Sequence, residues 1–343
     1  MHRREFMRKS LMISGGALLT TPAFSKIRTD TILGSNNKRY RLDTKWGALD
    51  SSIYPVKDCH EMVQDSKGRI VLLTNETKNN VIVYDRSGKL LKTWGTEYPG
   101  AHGLTLFKEG GEDVLFICDN NRHQVIKTTI DGRVLMILDY PKETGQYTKP
   151  EEYIPTETAI SKNGDIYVAD GYGKDFIIQY DHKGNYIRHF GGRGEKEENL
   201  FNAHGVCIDH RNKHPSLIVS SRQHNAFKRY TLKGNYLDTI SLPGAWVCRP
   251  VIHKEYLYAA VLQSSSALWK NSGFVTILDK NNKVVSNLAG NEPAYLNGKL
   301  SEMYQTVPVF QYPHDVCIDN DENLYIAQWN SGKVYPYKLT PVI

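Results

Sequence analysis

Residues 101–132, AHGLTLFKEGGEDVLFICDNNRHQVIKTTIDG, carry the pattern from which the fold is predicted. Three short apolar runs are separated by Gly-Gly, Asn-Asn and Asp-Gly pairs, which favour tight turns between antiparallel strands. Similar units start near residues 60, 156, 204, 250 and 314, so the six starts follow one another at steps of 42, 54, 48, 46 and 64 residues. Units of this length suit blades of four strands, and no stretch between them has helical periodicity.

Six such units predict an all-β fold, a six-bladed β-propeller that forms a single domain over residues 26–343. The sixth unit ends after about three strands. Residues 41–47, RLDTKWG, resemble the outer strand of the first unit at residues 89–95, KLLKTWG. We therefore expect the N-terminal segment to supply the outer strand of the last blade, which closes the ring and leaves no unpaired edge there.

Residues 1–25 have the features of a twin-arginine export signal. Arg3 and Arg4 precede an apolar stretch at residues 11–19, and small residues follow it up to Ser25. The alternative is a membrane anchor, which would need roughly 20 apolar residues to span a bilayer. We therefore predict a signal peptide cleaved after Ser25 and a periplasmic or secreted protein.

The formal net charge of the chain is +6. The predicted signal carries four basic residues and one acidic residue, a net +3, which leaves +3 for the mature protein. That charge is ordinary for a soluble protein, and no basic run or basic-aromatic stripe points to nucleic acid. No later apolar segment is long enough to span a membrane. We expect a monomer that acts on a small-molecule or peptide substrate.

Five cysteines are spread along the chain without a CxxC pair. An odd number of cysteines at wide spacings does not make a disulfide framework, even in an oxidising compartment. We expect buried free thiols at these positions, which are Cys59, Cys118, Cys207, Cys248 and Cys317.

In a propeller, the innermost strand of each blade runs along the central channel, and its first residues face the axis. We call the six repeat-equivalent residues at this point the axis positions, predicted here as His60, His102, Thr156, His204, Pro250 and His314. A single histidine there is more often a polar residue hydrogen-bonded in a wet channel. However, His102, His204 and His314 lie on alternate blades, and three neutral imidazoles around one axis provide a metal site with an open position.

The order of the axis positions resembles that of the lyase domain of peptidylglycine α-amidating enzymes, a propeller of the NHL-repeat type. Two motifs are more specific than the repeat itself, YVADGY at residues 167–172 and YPHDV at residues 312–316. The resemblance runs from about residue 55 to the end of the chain. It implies a zinc ion bound by His102, His204 and His314.

The resemblance also implies further site residues. Asp315, with backbone carbonyls near Cys59 and Leu104, would hold a structural calcium ion through oxygen ligands. Tyr172 would be the active-site tyrosine, and because its unperturbed pKa is about 10, it could act as a base only near a cation such as zinc. Arg222 would bind a substrate carboxylate with its guanidinium fork. The alternatives are a tyrosine packed over the channel mouth and a solvated arginine.

Two features depart from the amidating enzymes. A second substrate-binding arginine of that family falls at about Asn75, with only Lys78 nearby, and a lysine cannot reproduce bidentate binding. The chain also has no room for the copper hydroxylase domain that prepares the substrate in those enzymes. These departures leave the predicted metal site intact and make peptide amidation itself doubtful.

Three functions follow from these patterns. The first is a zinc-dependent lyase that cleaves the C–N bond of a carbinolamide-like substrate. The second is a non-catalytic propeller that binds a peptide, glycan or partner protein through an aromatic rim. Five tryptophans are available for such a rim: Trp46, Trp94, Trp246, Trp269 and Trp329. The third is a sugar-directed lyase or lactonase, which ranks lower because calcium lactonase propellers use acidic and Asn ligands instead of three histidines.

Overall fold

The computed structural model describes residues 30–264 and 272–342 of the chain. Within them, six antiparallel sheets surround a central channel, and the innermost strand of each blade contacts that of the next, around to the first again. This confirms the predicted all-β, six-bladed β-propeller. The predicted export signal lies outside the described residues. No helix in the described part of the chain is long and apolar enough to cross a membrane.

The chain enters the propeller through β1 (Ile32–Ser35) and β2 (Lys38–Asp43). The first blade consists of β3 (Cys59–Gln64), β4 (Ile70–Thr74), β5 (Val81–Tyr84) and β6 (Leu90–Trp94). The second consists of β7 (Ala101–Glu109), β8 (Glu112–Asp119), β9 (Gln124–Thr129) and β10 (Val134–Leu138). The third consists of β11 (Glu157–Ile160), β12 (Ile166–Ala169), β13 (Phe176–Tyr180) and β14 (Tyr186–Gly191).

The fourth blade consists of β15 (Ala203–Asp209), β16 (Ser216–Ser221), β17 (Ala226–Thr231) and β18 (Tyr236–Ser241). The fifth consists of β19 (Ala245–His253), β20 (Tyr256–Ser264), β21 (Ser272–Leu278) and β22 (Val284–Leu288). An insertion with β23 (Tyr295–Leu296), β24 (Lys299–Leu300) and β25 (Phe310–Gln311) precedes the sixth blade, which contains β26 (Pro313–Ile318), β27 (Leu324–Gln328) and β28 (Tyr337–Pro341). Short 3-10 turns lie at Lys142–Thr144, Pro150–Glu152 and Arg222–His224.

The core lies between neighbouring blades, where the middle strands are covered on both faces. Every residue of β4 and β5 is buried, and both strands are rich in the β-branched and aromatic side chains that suit such surfaces. The outer strand β6 is partly exposed. The turn between β9 and β10 needs a glycine, because Gly132 has φ 94° and an added Cβ would lie 2.6 Å from the ring of Trp94.

The N-terminal segment completes the last blade, as predicted. β2 pairs antiparallel with β28, with Tyr40 opposite Pro341 and Leu42 opposite Leu339. Tyr40 and Leu42 are buried in the core. β1 adds a fifth strand outside β2, which the sequence did not predict.

Deleting residues 38–47 is expected to destabilise the propeller severely. The deletion removes β2, exposes the edge of β28 and takes away the buried side chains of Tyr40, Leu42 and Trp46. Burial of each such side chain contributes about 1.5–3 kcal/mol, whereas the whole free energy of unfolding is typically about 5–15 kcal/mol. Thermal unfolding followed by circular dichroism should show a Tm lowered by more than roughly 10 °C, or aggregation before unfolding.

The matched control for this deletion is the double variant Arg39→Ala and Arg41→Ala, because both side chains are exposed on the same strand. Its Tm should stay within about 2 °C of that of the parent. A deletion variant as stable as the parent would show that the ring closes by another route.

The structure corrects one axis position. An added Cβ on Gly205 would lie 2.5 Å from Cα of Arg249. These two residues therefore occupy equivalent positions on neighbouring blades, one residue after the axis position. The axis residue of the fifth blade is thus Cys248 and not Pro250. The equivalence is hidden in the sequence because β19 shifts its register twice before Pro250.

The five cysteines are free thiols, as predicted. Four are buried, and Cys207 is partly exposed. Burial raises the pKa of all five above the usual value of a thiol. They therefore stay protonated and unreactive at neutral pH.

Candidate active site

Four histidines meet at one end of the channel, each at the axis position of its blade. The ring centroids of His102, His204 and His314 lie 4.8 Å apart in all three pairs. The centroid of His60 lies 4.8 Å from that of His102 and 4.9 Å from that of His314. Ligand nitrogens of His60, His102 and His314 all lie within 4.8 Å of one another. The structure thus brings the three predicted imidazoles together and places His60 beside them as a fourth.

Backbone carbonyls orient two of these histidines. Nδ1 of His102 lies 2.8 Å from the carbonyl oxygen of Thr156, and Nδ1 of His314 lies 3.0 Å from that of His60. Because a carbonyl only accepts, each Nδ1 carries the proton, and each Nε2 is left with a lone pair that can accept a hydrogen bond or bind a metal ion. His204 differs, since both of its ring nitrogens are buried without a hydrogen-bond partner among the described residues.

The four imidazoles are neutral at physiological pH. Burial lowers the pKa of His60 to about 3, and the positive charge of Lys57 contributes to this shift. Burial also lowers the pKa values of His102, His204 and His314 well below the usual value, and repulsion between neighbouring cationic groups lowers them further. Neutral imidazole is the form that binds metal ions, so the histidine cluster fits a divalent cation such as zinc.

Tyr172 lies over the histidine cluster, with its hydroxyl 3.2 Å from Nε2 of His102. Its ring centroid is 5.2 Å from that of His102 and 5.6 Å from that of His204. The residue is 38% exposed, although its hydroxyl points inwards. Burial raises the pKa of Tyr172, and the charge and hydrogen bond of Arg222 oppose this shift. The hydroxyl therefore keeps its proton at neutral pH unless a further cation comes close.

Arg222 is buried in the 3-10 turn that follows β16. Its Nη2 donates to Sγ of Cys248 at 3.0 Å, and the positive charge of its guanidinium favours the ionised form of the nearby Tyr172 and so lowers the pKa of that phenol. Nε is buried without a hydrogen-bond partner, and none of the ion pairs in the described part of the chain involves this side chain. A buried guanidinium without a carboxylate is costly. Arg222 is therefore well suited to bind an anionic group of a ligand.

A cavity of about 460 Å³ opens at one side of the cluster, where His60, His102 and Tyr172 line it, whereas His204, His314 and Arg222 are not part of its lining. Asn75, where the resemblance puts a second arginine, lines this cavity, and so does Lys57. Lys78 is not part of the lining. Lys57 is thus the positive charge near Asn75, and it could not be predicted from the sequence because the loop before β3 brings it there.

Tryptophans do not form a rim around this cavity in the described structure. Trp329 is the one described tryptophan that lines it. Trp46 is buried in the core between blades, whereas Trp94 and Trp246 are half-buried away from the cavity. Trp269 lies outside the described residues.

Asp315 and Leu104, which the resemblance predicts as calcium ligands, lie one layer deeper in the channel. Nε and Nη2 of Arg249 donate to the two carboxylate oxygens of Asp315 at 3.0 and 2.8 Å, and Nη1 donates to the carbonyl of Leu104 at 3.0 Å. Nη2 also donates to the carbonyl of Met62 at 3.0 Å. Cys59 directs its thiol to a carbonyl of the sixth blade. The first-blade carbonyl in this layer is therefore that of Met62 and not that of Cys59.

Comparison with known proteins agrees with the propeller and with the resemblance. The chain matches no protein-family model. It is 29% identical over 133 residues to the probable peptidyl-alpha-hydroxyglycine alpha-amidating lyase of Caenorhabditis elegans. This match covers 37% of this chain and 35% of that protein. It is 26% identical over 199 residues to NHL repeat-containing protein 3 of Homo sapiens, which covers 53% of each. The matches span about a third to a half of these relatives, and the chain is an NHL-type propeller that resembles the amidating-lyase domain.

Solved structures support the same fold. A gluconolactonase from Xanthomonas campestris superposes with a TM-score of 0.60 at 12% sequence identity, covering 91% of this chain and 95% of that one. At this level of identity, the likeness extends to the fold alone.

Proposed function

We propose that this chain is a metal-dependent lyase that cleaves the C–N bond of a carbinolamide with a carboxylate on the same carbon. The observation that carries the proposal is the buried, unpaired guanidinium of Arg222 next to the histidine cluster and the hydroxyl of Tyr172. These features provide a cation for a carboxylate, a site for a metal ion and a hydroxyl for proton transfer, which are the groups that this reaction needs.

His102, His204 and His314 would hold the metal ion, which we propose to be zinc, and His60 would lie beside them. Three neutral imidazoles would leave one coordination position open for the substrate. A divalent cation bound there would polarise the substrate hydroxyl and favour the ionised forms of nearby hydroxyl groups.

The side chains of this protein would carry out the remaining steps. Arg222 would bind the substrate carboxylate and so fix the position of the reacting carbon. The phenol oxygen of Tyr172 would accept the proton of the substrate hydroxyl. The C–O bond would become a carbonyl as the C–N bond breaks, and the proton would return from Tyr172 to the departing nitrogen. The products would be an amide and an oxo acid, and the reaction consumes neither oxidant nor reductant.

The cavity supports a small molecule or a peptide end as the substrate. Its volume of about 460 Å³ falls within the range of small-molecule sites. Lys57 would provide a second positive charge at the exposed side of the cavity, in place of a second arginine. A point charge there would attract the carboxylate without the bidentate geometry of a guanidinium.

We also propose where the protein acts. Residues 1–25 would direct it through the twin-arginine route, and the mature chain would work as a monomer in the periplasm or outside the cell. The support for this location is the order of the paired arginines, the short apolar stretch and the small residues in the sequence.

A non-catalytic propeller that binds a peptide, glycan or partner protein is the alternative function. Its expected mark is an aromatic rim, and one tryptophan among the described residues lines the cavity. Buried imidazoles and an unpaired guanidinium beside a tyrosine hydroxyl favour the lyase instead.

The proposal is tested with the purified full chain and N-benzoyl-α-hydroxyglycine as substrate. We expect the zinc-loaded protein to release benzamide and glyoxylate in equal amounts, and we expect a chelator to abolish this activity until zinc is restored. The matched control substrate is the corresponding carboxamide, which lacks the carboxylate and should react at least about 30-fold more slowly. Full activity of the metal-free protein, or no turnover by the metal-loaded protein, would contradict the proposal.

A further inference from the structure

Arg249 is buried at the centre of the channel, one layer below the histidine cluster. Its guanidinium donates four hydrogen bonds of 2.8–3.0 Å, two to the carboxylate of Asp315 and one each to the carbonyls of Leu104 and Met62. These three residues belong to the sixth, second and first blades. One side chain of the fifth blade thus ties together the inner strands of three other blades.

Two further carboxylates face the same guanidinium. Oε2 of Glu61 lies 3.6 Å from Nη1 of Arg249, and Oε2 of Glu157 lies 3.7 Å from Nε. Both glutamates are fully buried, and each has one carboxylate oxygen without a hydrogen-bond partner in the described structure. Arg249 is therefore the cation that all three carboxylates of this layer surround.

The oxygen atoms around Arg249 are the kind that bind calcium. Calcium prefers several carboxylate and carbonyl oxygens around one point. Asp315 and Leu104 are the ligands that the resemblance implies, and Met62 supplies a carbonyl of the first blade. These oxygens already accept hydrogen bonds from the guanidinium, and two cations cannot occupy one position. The residues present therefore do not fit a calcium ion.

We infer that the guanidinium of Arg249 occupies the position of the structural calcium ion that the resemblance implies, so that this propeller carries its own internal cation. Arginine suits this role because its guanidinium is always charged and presents five N–H donors in a rigid plane. The neighbouring blade leaves room for it, since an added Cβ on Gly205 would lie 2.5 Å from Cα of Arg249. The inference does not depend on the proposed reaction.

The first test is the calcium content and thermal stability of the wild-type full chain. We expect substoichiometric calcium by mass spectrometry after purification in calcium-containing buffer. We also expect the same Tm in excess EGTA and in millimolar calcium. One calcium ion per chain, together with a Tm lowered by EGTA, would overturn the inference.

The second test is the variant Arg249→Met, which leaves Asp315, Glu61 and Glu157 facing one another without a cation. Its Tm in EGTA should fall by roughly 6 to 20 °C, because breaking a buried ion pair is strongly destabilising. Calcium should raise this Tm again, because the vacated oxygens match its preferred ligands. A variant that is as stable as the wild type in EGTA, or a destabilised variant that calcium does not rescue, would overturn the inference.

Arg211→Met is the matched control for this variant. The side chain of Arg211 is also buried, at 3% exposed, and it donates to both carboxylate oxygens of Asp209 at 2.9 Å and to the carbonyl of Asp279 at 3.0 Å. It lies outside the channel layer of three carboxylates. Its loss should lower the Tm as well, but calcium should not restore it. If Arg249→Met does not fold at all, the calcium measurements on the wild-type protein still decide the question.

Discussion

Replacing His204 with alanine is expected to reduce the bound zinc from one ion per chain to almost none and to abolish lyase activity. Both ring nitrogens of His204 are buried without a partner among the described residues, so a ligand in the channel is what would satisfy them. Losing a residue that only orients a metal ligand costs about 10- to 100-fold in affinity. Losing a metal ligand itself should lower the metal affinity by at least the same factor. Metal analysis after dialysis against a weak chelator measures this directly.

His60→Ala is the matched control, because His60 is buried at the same end of the channel, with its ring 4.8 Å from that of His102. We expect this variant to keep its zinc and at least about a tenth of its activity, as for a residue outside the coordination shell. The opposite result, with zinc lost from His60→Ala and retained by His204→Ala, would contradict the proposed ligand set. It would assign the ion to His60, His102 and His314, whose ligand nitrogens lie within 4.8 Å of one another.

The repeat in the sequence was sufficient to predict the six blades, because apolar runs separated by turn glycines recur in the same order in each unit, at steps of 42 to 64 residues. The likeness of residues 41–47 to residues 89–95 also predicted how the ring closes, since an outer strand carries the same alternation wherever it lies in the chain. β1 could not be predicted. It has four residues, and it is held by β2 and by a hydrogen bond from the backbone of Ser35 to Ser286, a contact between distant parts of the chain.

The convergence of His102, His204 and His314 followed from their equivalent places in the repeat. The fifth blade was misread because it has no histidine at the axis position and because β19 is irregular before Pro250. With Cys248 at that position, the residues that follow the six axis positions form one layer around the channel, and this layer could have been found from the sequence. It consists of Glu61, Gly103, Glu157, Gly205, Arg249 and Asp315.

The contacts of Arg222 with Cys248 and Tyr172 could not be found in that way. They join three different blades through side chains, and a repeat pattern in the sequence specifies only the backbone positions from which such side chains start. The same holds for Lys57, whose place beside Asn75 depends on the path of the loop before β3.

Arg222→Met is expected to lower kcat/KM for a carboxylate-bearing carbinolamide by roughly 30-fold to several-thousand-fold, with the metal still bound. Removing one partner of a buried, hydrogen-bonded charge pair costs about 2–5 kcal/mol, and each factor of ten in rate corresponds to about 1.4 kcal/mol. Methionine fills similar space without a charge. Because Arg222 has no carboxylate partner in the described structure, the substitution should leave the Tm unchanged or raise it. If Arg222 had a structural role instead, the substitution would lower the Tm.

The decisive comparison for Arg222 uses two substrates that differ only in the carboxylate. Arg222→Met and the wild-type protein should cleave the neutral carboxamide at similar rates, because the lost interaction involves the substrate charge. Lys57→Met, which removes an exposed charge at the cavity that His60 and His102 line, should lose only a few-fold on the carboxylate substrate, and salt should screen this effect. Equal losses of Arg222→Met on both substrates would instead mean that Arg222 acts through Tyr172, and an unchanged kcat/KM would remove it from the site.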